Sequence, residues 1–472
     1  MLRTFTGRLS KMAALAASVA VLATAPRPAV ADNLADALIG AYNSSGLLEQ
    51  NRALLRAADE DVAIALSALR PIVNWTARIQ SDYTKSGNGL TSTSSSPDTF
   101  FTGLELNQLI YDGGAARLGK QAAQETVLST RQSLVQVEQQ ILLRAVTAYL
   151  SVLLQEEAVG IRQNNVRLLG EELRASEDRF EVGEVTRTDV ALSQSRLANA
   201  RANLADANGA LTTAHAEYIN AVGRHPGRTA GQPSMPGLPR SEEDAVALAL
   251  RNHPALLSAQ HQVRALELGI EQQRANLGPN VRFQADLGLT DDFGGSNFNE
   301  SATARMIYSQ PLYAGGRLAA TVRRVMAQRD ASRANLLNVQ RDVTQDVSDA
   351  YVRYQTADAS LTASDERVRA AQVAFDGIRE EATLGARTTL DVLTAEQDLL
   401  DAQLARVSAR TERSLAAYQL LASQGLLTAE RLGLAVQIYD PTLYYNMVKD
   451  APAAISKRSR DLDRVLEALG KK

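Results

Sequence analysis

Two hydrophobic periods alternate along the chain. In the first, apolar residues return at every seventh position: Ala145, Val152, Val159, Val166, Leu173 and Phe180 form one ladder, and Val347, Tyr354, Leu361, Val368, Phe375 and Ala382 form another. A sustained seven-residue repeat describes helices packed as coiled coils, because it keeps one apolar seam facing a partner. The first ladder predicts a helix from about Ala116 to Phe180, roughly 65 residues and ~100 Å long at 1.5 Å per residue. A returning segment carries its own ladder, Val190, Leu197, Leu204, Leu211 and Tyr218. Each half of the chain therefore holds a long antiparallel helical hairpin, preceded by a shorter helix over about Leu34–Leu69 and Glu242–Leu277.

The second period is two. Val73, Trp75, Ala77, Ile79 and Tyr83 alternate with Asn74, Thr76, Arg78, Gln80 and Asp82; Phe100, Thr102, Leu104 and Leu106 alternate with Gly103, Glu105 and Asn107. Further on, Val281, Phe283, Ala285, Leu287 and Leu289 alternate with Arg282, Gln284, Asp286 and Thr290, and Ala302, Ala304, Met306 and Tyr308 alternate with Thr303 and Arg305. Such runs are strands with one apolar and one polar face. Each is near the length of about 9–11 residues at which a tilted strand crosses a bilayer, and Trp75, Tyr83 and Phe100 read as lipid-facing or belt residues. Four strands cannot close a barrel, and an open sheet edge cannot face lipid. Other copies of the chain must complete the sheet: two copies would supply eight strands and three would supply twelve, and only the larger leaves an open lumen.

The two halves are copies of one unit. Tyr111-Asp112-Gly113-Gly114 recurs as Tyr313-Ala314-Gly315-Gly316, Ala148-Tyr149 as Ala350-Tyr351, and Asp189-Val190 as Asp391-Val392, all at one offset. The period of about 200 residues is a duplicated unit, too long for a solenoid repeat. The first copy carries an extra Ser/Thr/Gly-rich stretch, Ser86–Ser96, and a Pro/Gly-rich linker over Pro226–Pro239 joins the copies. The predicted organisation is a leader (1–31), a first repeat (32–225), a linker (226–240), a second repeat (241–426) and a C-terminal segment with a basic tail (427–472). At the far end of each hairpin, Gly183 and Gly385 sit where a helix ends in a left-handed residue. Three residues later Thr186-x-x-Asp189 and Thr388-x-x-Asp391 read as capping boxes, with aspartate in place of glutamate.

The leader has the pattern of an export signal: Arg3, Arg8 and Lys11, then the apolar run Met12–Ala25, then Ala29-Val30-Ala31 before Asp32. Beyond it, no stretch reads as a bilayer-spanning helix. Cysteine is absent, which excludes disulfides, thiolate metal sites, cysteine nucleophiles and an acylated N-terminal cysteine. Lys and Arg total 50 against 53 Asp and Glu, so no basic face for nucleic acid is announced.

Enzyme motifs fail. Gly114–Lys120 has phosphate-loop spacing, but Gln121 stands where a hydroxyl must hold Mg²⁺. His215, His225, His253 and His261 lack metal-ligand spacing, and Asp291-Asp292-Phe293-Gly294-Gly295 lacks that of a Ca²⁺ loop and reads as a hairpin loop. No catalytic site, cofactor or metal is expected. Energy for any transport would come from a partner. The tail, with Lys457, Arg458, Arg460, Lys471 and Lys472, is either an extension or a short helix.

The doubled strand–strand–helical-hairpin unit and the tip motifs Val182-Gly183-Glu184-Val185-Thr186-Arg187-Thr188-Asp189-Val190 and Leu384-Gly385-Ala386-Arg387-Thr388-Thr389-Leu390-Asp391-Val392 resemble the TolC family of outer-membrane channel-tunnels. So do the paired Tyr-x-Gly-Gly motifs and the closing Tyr439-Asp440-Pro441-Thr442. The resemblance spans about Leu34 to Met447. It implies an α+β membrane protein, a homotrimer forming a twelve-stranded β-barrel in outer-membrane lipid and a twelve-helix periplasmic tunnel. It also implies a passive, gated exit for type I protein secretion or small-molecule efflux. The implied partners are a periplasmic adaptor and an inner-membrane ABC transporter or proton-driven pump. By the same resemblance Thr188, Asp189, Arg387 and Asp391 form a periplasmic gate, with Asp391 matching a ring-forming aspartate. Ala382 and Thr394 stand where some members carry a tyrosine and a second aspartate. Residue by residue, Asp189 and Asp391 also read as plain capping carboxylates, and Arg387 as a solvated turn residue. The alternative function is a non-conducting coiled-coil scaffold or adaptor, which gives no reason for four amphipathic strands.

Overall fold

The computed structural model describes residues 32–96, 98–292, 298–450 and 456–468. The leader, the loop residues 293–297 and both ends of the basic tail lie outside the described residues. The first copy runs α1 (Leu34–Ser44), α2 (Gly46–Ser67), β1 (Ile72–Ser81), β2 (Thr84–Gly87), β3 (Ser92–Ser95), β4 (Asp98–Tyr111), α3 (Ala115–Glu181) and α4 (Arg187–Val222). The second runs α5 (Glu242–Asn252), α6 (Pro254–Ala275), β5 (Asn280–Asp292), β6 (Phe298–Ser309), α7 (Arg317–Thr383) and α8 (Thr389–Ser423), followed by α9 (Pro441–Val448) and α10 (Lys457–Ala468).

Each predicted leading helix is in fact two. Ser45 is extended between α1 and α2. In the second copy Pro254 opens α6 and His253 before it is extended, as expected where proline lacks an N–H and restricts its predecessor. The long helices match the ladders: α3 and α7 have 67 residues each. An 18-residue window of α3 is apolar enough to span a bilayer by composition, contrary to the sequence expectation, but half of that window is buried in the protein.

The polypeptide divides into two compact units, each built from both copies. One comprises residues 46–140, 238–352 and 420–468 and carries the four-stranded antiparallel sheet, in the order β1-β4-β5-β6. The register puts Trp75 opposite Leu104, Leu104 opposite Leu287 and Leu287 opposite Ala302, so one face is apolar across all four strands. Trp75 is 71% exposed on it. The opposite face carries Asn74, Glu105, Asp286 and Thr303 in one row. There Arg305 pairs with Asp286 at 2.9 Å, and Gln284 donates to Glu105 at 3.0 Å. The Ser/Thr-rich insertion is a two-stranded ribbon, β2–β3, turned by Asn88-Gly89. Gly89 has φ 87° and the Asn88 side chain accepts from the Leu90 and Thr91 amides.

The Tyr-x-Gly-Gly motif is the strand-to-helix connector. Gly113 and Gly114 have φ 65° and 90°, and the Asp112 carboxylate accepts from the Gly114 and Ala116 amides at 2.9 and 2.7 Å, capping α3. Gly114–Lys120 thus lies at a helix start. Asp440 caps α9 through the Thr442 amide at 2.8 Å, and Tyr444 of α9 donates to Glu60 of α2 at 2.7 Å.

The other unit comprises residues 32–45, 141–237 and 353–419. Ladder residues Ala145, Val152 and Val159 are buried in it, as are Leu197 and Tyr218 of α4 and Phe375 of α7. Phe180, the last rung, is 45% exposed.

Candidate functional site

Both helical hairpins end in the second of these units with the same two devices. The first is a stop. Gly183 and Gly385 have φ 81° and 78°, a conformation that costs a side-chain-bearing residue about 1–2 kcal/mol. Glu184 N donates to Arg179 O and Gly183 N to Phe180 O; Ala386 N donates to Glu381 O and Gly385 N to Ala382 O. These paired bonds satisfy carbonyls that the helix end leaves open.

The second device is a start. Thr186 Oγ1 accepts from Asp189 N at 3.3 Å, while Asp189 Oδ2 accepts from Thr186 N at 2.9 Å and from its hydroxyl at 2.7 Å. Thr388 and Asp391 repeat this at 3.2, 3.0 and 2.8 Å. These bonds favour the ionised carboxylates. The Thr186 hydroxyl and amide hold Asp189 below the usual carboxylate range. For Asp391 the Thr388 amide is the larger cause, with its hydroxyl next and Arg387 a minor one. Two expected gate residues are therefore anionic caps.

The tips place Thr188 and Arg387 in solvent. The Arg387 Nε donates to Glu381 Oε2 at 2.7 Å within its own hairpin. That hydrogen bond raises the guanidinium pKa further. Sequence reasoning missed Glu381, although its place on the last turn of α7, six residues before Arg387, was a usable signal. An open groove of ≈ 590 Å³ runs between α7 and α8, lined by Arg367, Ile378, Arg387, Leu390, Asp391 and Asp398 among others. It brings Arg387 and Asp391 together beside a second basic and a second acidic residue.

Behind the tips, the hairpins are joined by packing. Leu393 of α8 is buried against Leu169 of α3 and Leu197 and Ala200 of α4. Beside this cluster Asn165 Nδ2 of α3 donates to Glu396 Oε1 of α8 at 3.0 Å, and both residues are buried. Burial pushes the Glu396 carboxyl up to about 7; the Asn165 bond opposes this, Glu172 reinforces it and Arg379 opposes it. No single-sequence signal pointed to Glu396, because its environment depends on one hairpin lying against the other.

Comparison with known proteins adds a family context. Residues 41–224 and 245–426 match the family model described as Outer membrane efflux protein. The chain is 35% identical over 424 residues to the outer membrane efflux protein BepC of Brucella suis biovar 1, covering 89% of this chain and 91% of that protein. It is 27% identical over 334 residues to the alkaline protease secretion protein AprF of Pseudomonas aeruginosa, covering 69% of this chain and 68% of that protein. In fold, it is similar to the CmeC outer membrane channel of Campylobacter jejuni, with a TM-score of 0.74 at 14% identity over 89% of each chain.

Proposed function

Because the chain belongs to the outer membrane efflux protein family, the TolC-like family its tip motifs resemble, we propose that it is a homotrimeric channel-tunnel of the outer membrane. In this reading it is a passive, gated exit for small molecules or secreted proteins. One observation carries this reading: a four-stranded sheet whose apolar face is exposed and whose outer strands, β1 and β6, each pair on one side only among the described residues. Such edges leave backbone donors and acceptors that hydrocarbon cannot satisfy. The four strands alternate in direction, so β6 of one copy meets β1 of the next antiparallel, and every junction between copies is the same. Three copies give a twelve-stranded barrel lined by Arg78, Glu105, Asp286 and Arg305, wide enough for a lumen.

The gate lies at the hairpin tips. Asp189 supplies an anion at the first tip, Asp391 and Arg387 an anion and a cation at the second, and the Leu393 cluster with the Asn165–Glu396 contact supplies the packing that holds one hairpin on the other. Exposed ion pairs are individually weak, so a docking adaptor shifts the balance through its differential affinity for the two states. The chain holds no recognised nucleotide motif, so a transporter of the inner membrane, ABC-type or proton-driven, supplies the energy. The relatives' names include efflux for BepC and protease secretion for AprF; BepC, the more similar of the two, favours the efflux reading.

Light scattering in detergent tests the assembly, with three chain masses expected and no folded monomer. Conductance in a planar bilayer and retention in outer membrane after a carbonate wash test the channel. A protein that washes off and conducts nothing is instead a scaffold or adaptor. Deleting the gene and measuring drug susceptibility beside the secreted proteins separates the two cargo classes.

A further inference from the structure

The residue that follows the Ala29-Val30-Ala31 pattern is among the most tightly held in its unit. Asp32 is 4% exposed, whereas the first residues of a domain are ordinarily loose. Its Oδ2 accepts from the Tyr218 hydroxyl at 2.7 Å and from Gly227 N at 3.3 Å, and its Oδ1 accepts from Arg224 Nη2 at 2.5 Å. Its backbone is also engaged on both sides. The nitrogen donates to Arg228 O at 2.8 Å and the carbonyl accepts from Ala230 N at 2.9 Å, a parallel bridge with Thr229.

Other acidic groups lie close by. Thr229 donates to the Glu156 carboxylate, and Tyr149, whose hydroxyl donates to Gly231 O at 2.9 Å, lies over the same bridge. Burial, then the negative charges of Asp32, Glu156 and Asp36, push the Tyr149 hydroxyl up to about 12. Tyr218 is pushed up by burial, then by its bond to Asp32 and the charge there, while Arg224 opposes the shift. Arg224, the cation paired with Asp32, is itself 48% exposed.

We propose that Asp32 is the first residue of the exported protein and that the α-ammonium freed by cleavage after Ala31 is held in this cluster as a structural cation. Before cleavage the Asp32 nitrogen is a neutral amide with one N–H. Hydrolysis of the Ala31–Asp32 bond consumes one water, gives Ala31 a carboxylate and leaves Asp32 an ammonium with three donors. One donor keeps Arg228 O, and the new charge joins that of Arg224 against the Asp32, Glu156 and Asp36 carboxylates. Leader removal therefore tightens this end of the unit. The inference concerns maturation and stands whether or not the protein conducts.

The test uses the full protein purified from outer membrane. Peptide mass mapping should give Asp32 as the N-terminal residue. An open α-amine, with an ordinary pKa of about 8 against ~10.4 for lysine, acylates at pH 7.5 before any lysine does. In the folded protein, N-hydroxysuccinimidyl acetate should instead modify the exposed Lys85 first. The α-amine should react at least about tenfold more slowly than in denaturant. Asp32→Asn keeps the shape and the acceptor for Tyr218 but removes the charge, and should raise α-amine labelling severalfold. The proposal is overturned by a terminus at another residue, by a retained leader, or by an α-amine that labels equally fast folded and denatured. The wild-type measurement decides even if Asp32→Asn does not fold.

Discussion

Asn165 on α3 and Glu396 on α8 meet at 3.0 Å, both buried, and join the two helical hairpins behind their tips. The Asn165 amide donates to Glu396 and so favours the ionised carboxylate, but burial outweighs it and keeps the group protonated to higher pH. A carboxyl raised from 4.5 to about 7 binds more protons folded than unfolded between those values. Its contribution is fully present below pH 4.5 and is lost as pH rises to about 7, an effect of roughly 2–3 kcal/mol at most. Glu396→Gln should flatten the fall in thermal stability between pH 5 and 7.5 and leave the variant more stable than wild type at pH 8. Melting curves of the detergent-solubilised protein across that range check it. A parallel fall in both proteins would remove Glu396 from the account.

At the tips, Asp189→Asn keeps an acceptor for Thr186 while removing the charge, and Arg387→Ser removes the cation. Each should lengthen the conducting state severalfold in single-channel recordings, the direction expected when one contact biasing a two-state equilibrium is lost. Wild-type conductance in both variants, with the assembly intact, would leave closure to the packing of Leu393 on Leu169 and Leu197.

Gly385→Val introduces a β-branched side chain at φ 78°, with no neighbouring atom for a Cβ to meet. The cost is conformational, about 1–2 kcal/mol, and confined to the turn. Hydrogen exchange of the 381–391 amides should accelerate by roughly tenfold, the factor that 1.4 kcal/mol gives, while the global melting temperature stays nearly fixed. Protection equal to wild type at those amides would contradict the strain assigned to Gly385.

Leu104 lies in the middle of the apolar face between Trp75 and Leu287. Leu104→Arg should cost about 2–4 kcal/mol if that face meets lipid and reduce the carbonate-resistant fraction. Thr76→Arg, one residue from Trp75 on the opposite face, should leave that fraction unchanged. Equal effects of the two substitutions would refute the orientation of the sheet.

Most of the architecture was legible because one-sided burial writes a period into the chain. The ladder from Ala145 to Phe180 and the alternation from Val73 to Tyr83 each describe a surface that must be covered. The hairpin ends were legible because glycine in a left-handed turn and a Thr-x-x-Asp cap act within a few residues. What escaped was either local but outweighed, or non-local. The Asn88-Gly89 turn and the Pro254 break are local signals embedded in longer periodic patterns that mask them. Glu125 beside His261 at 2.7 Å and Asn165 beside Glu396 depend on how distant turns of helix align, which spacing along one chain does not encode.

If the proposed gate works through Arg387, the Arg387–Glu381 pair changes what its closing means. If Arg387 reaches an acidic group on another hairpin, it must first leave the one it already holds, so the step is an exchange of partners and its bias is only the difference between the two pairs. Salt would screen both arrangements alike if the second pair were as exposed as Arg387–Glu381 is. The equilibrium between them is then nearly independent of ionic strength. A duct facing the outside world through fresh water or brine alike would keep the same resting state without any device to compensate.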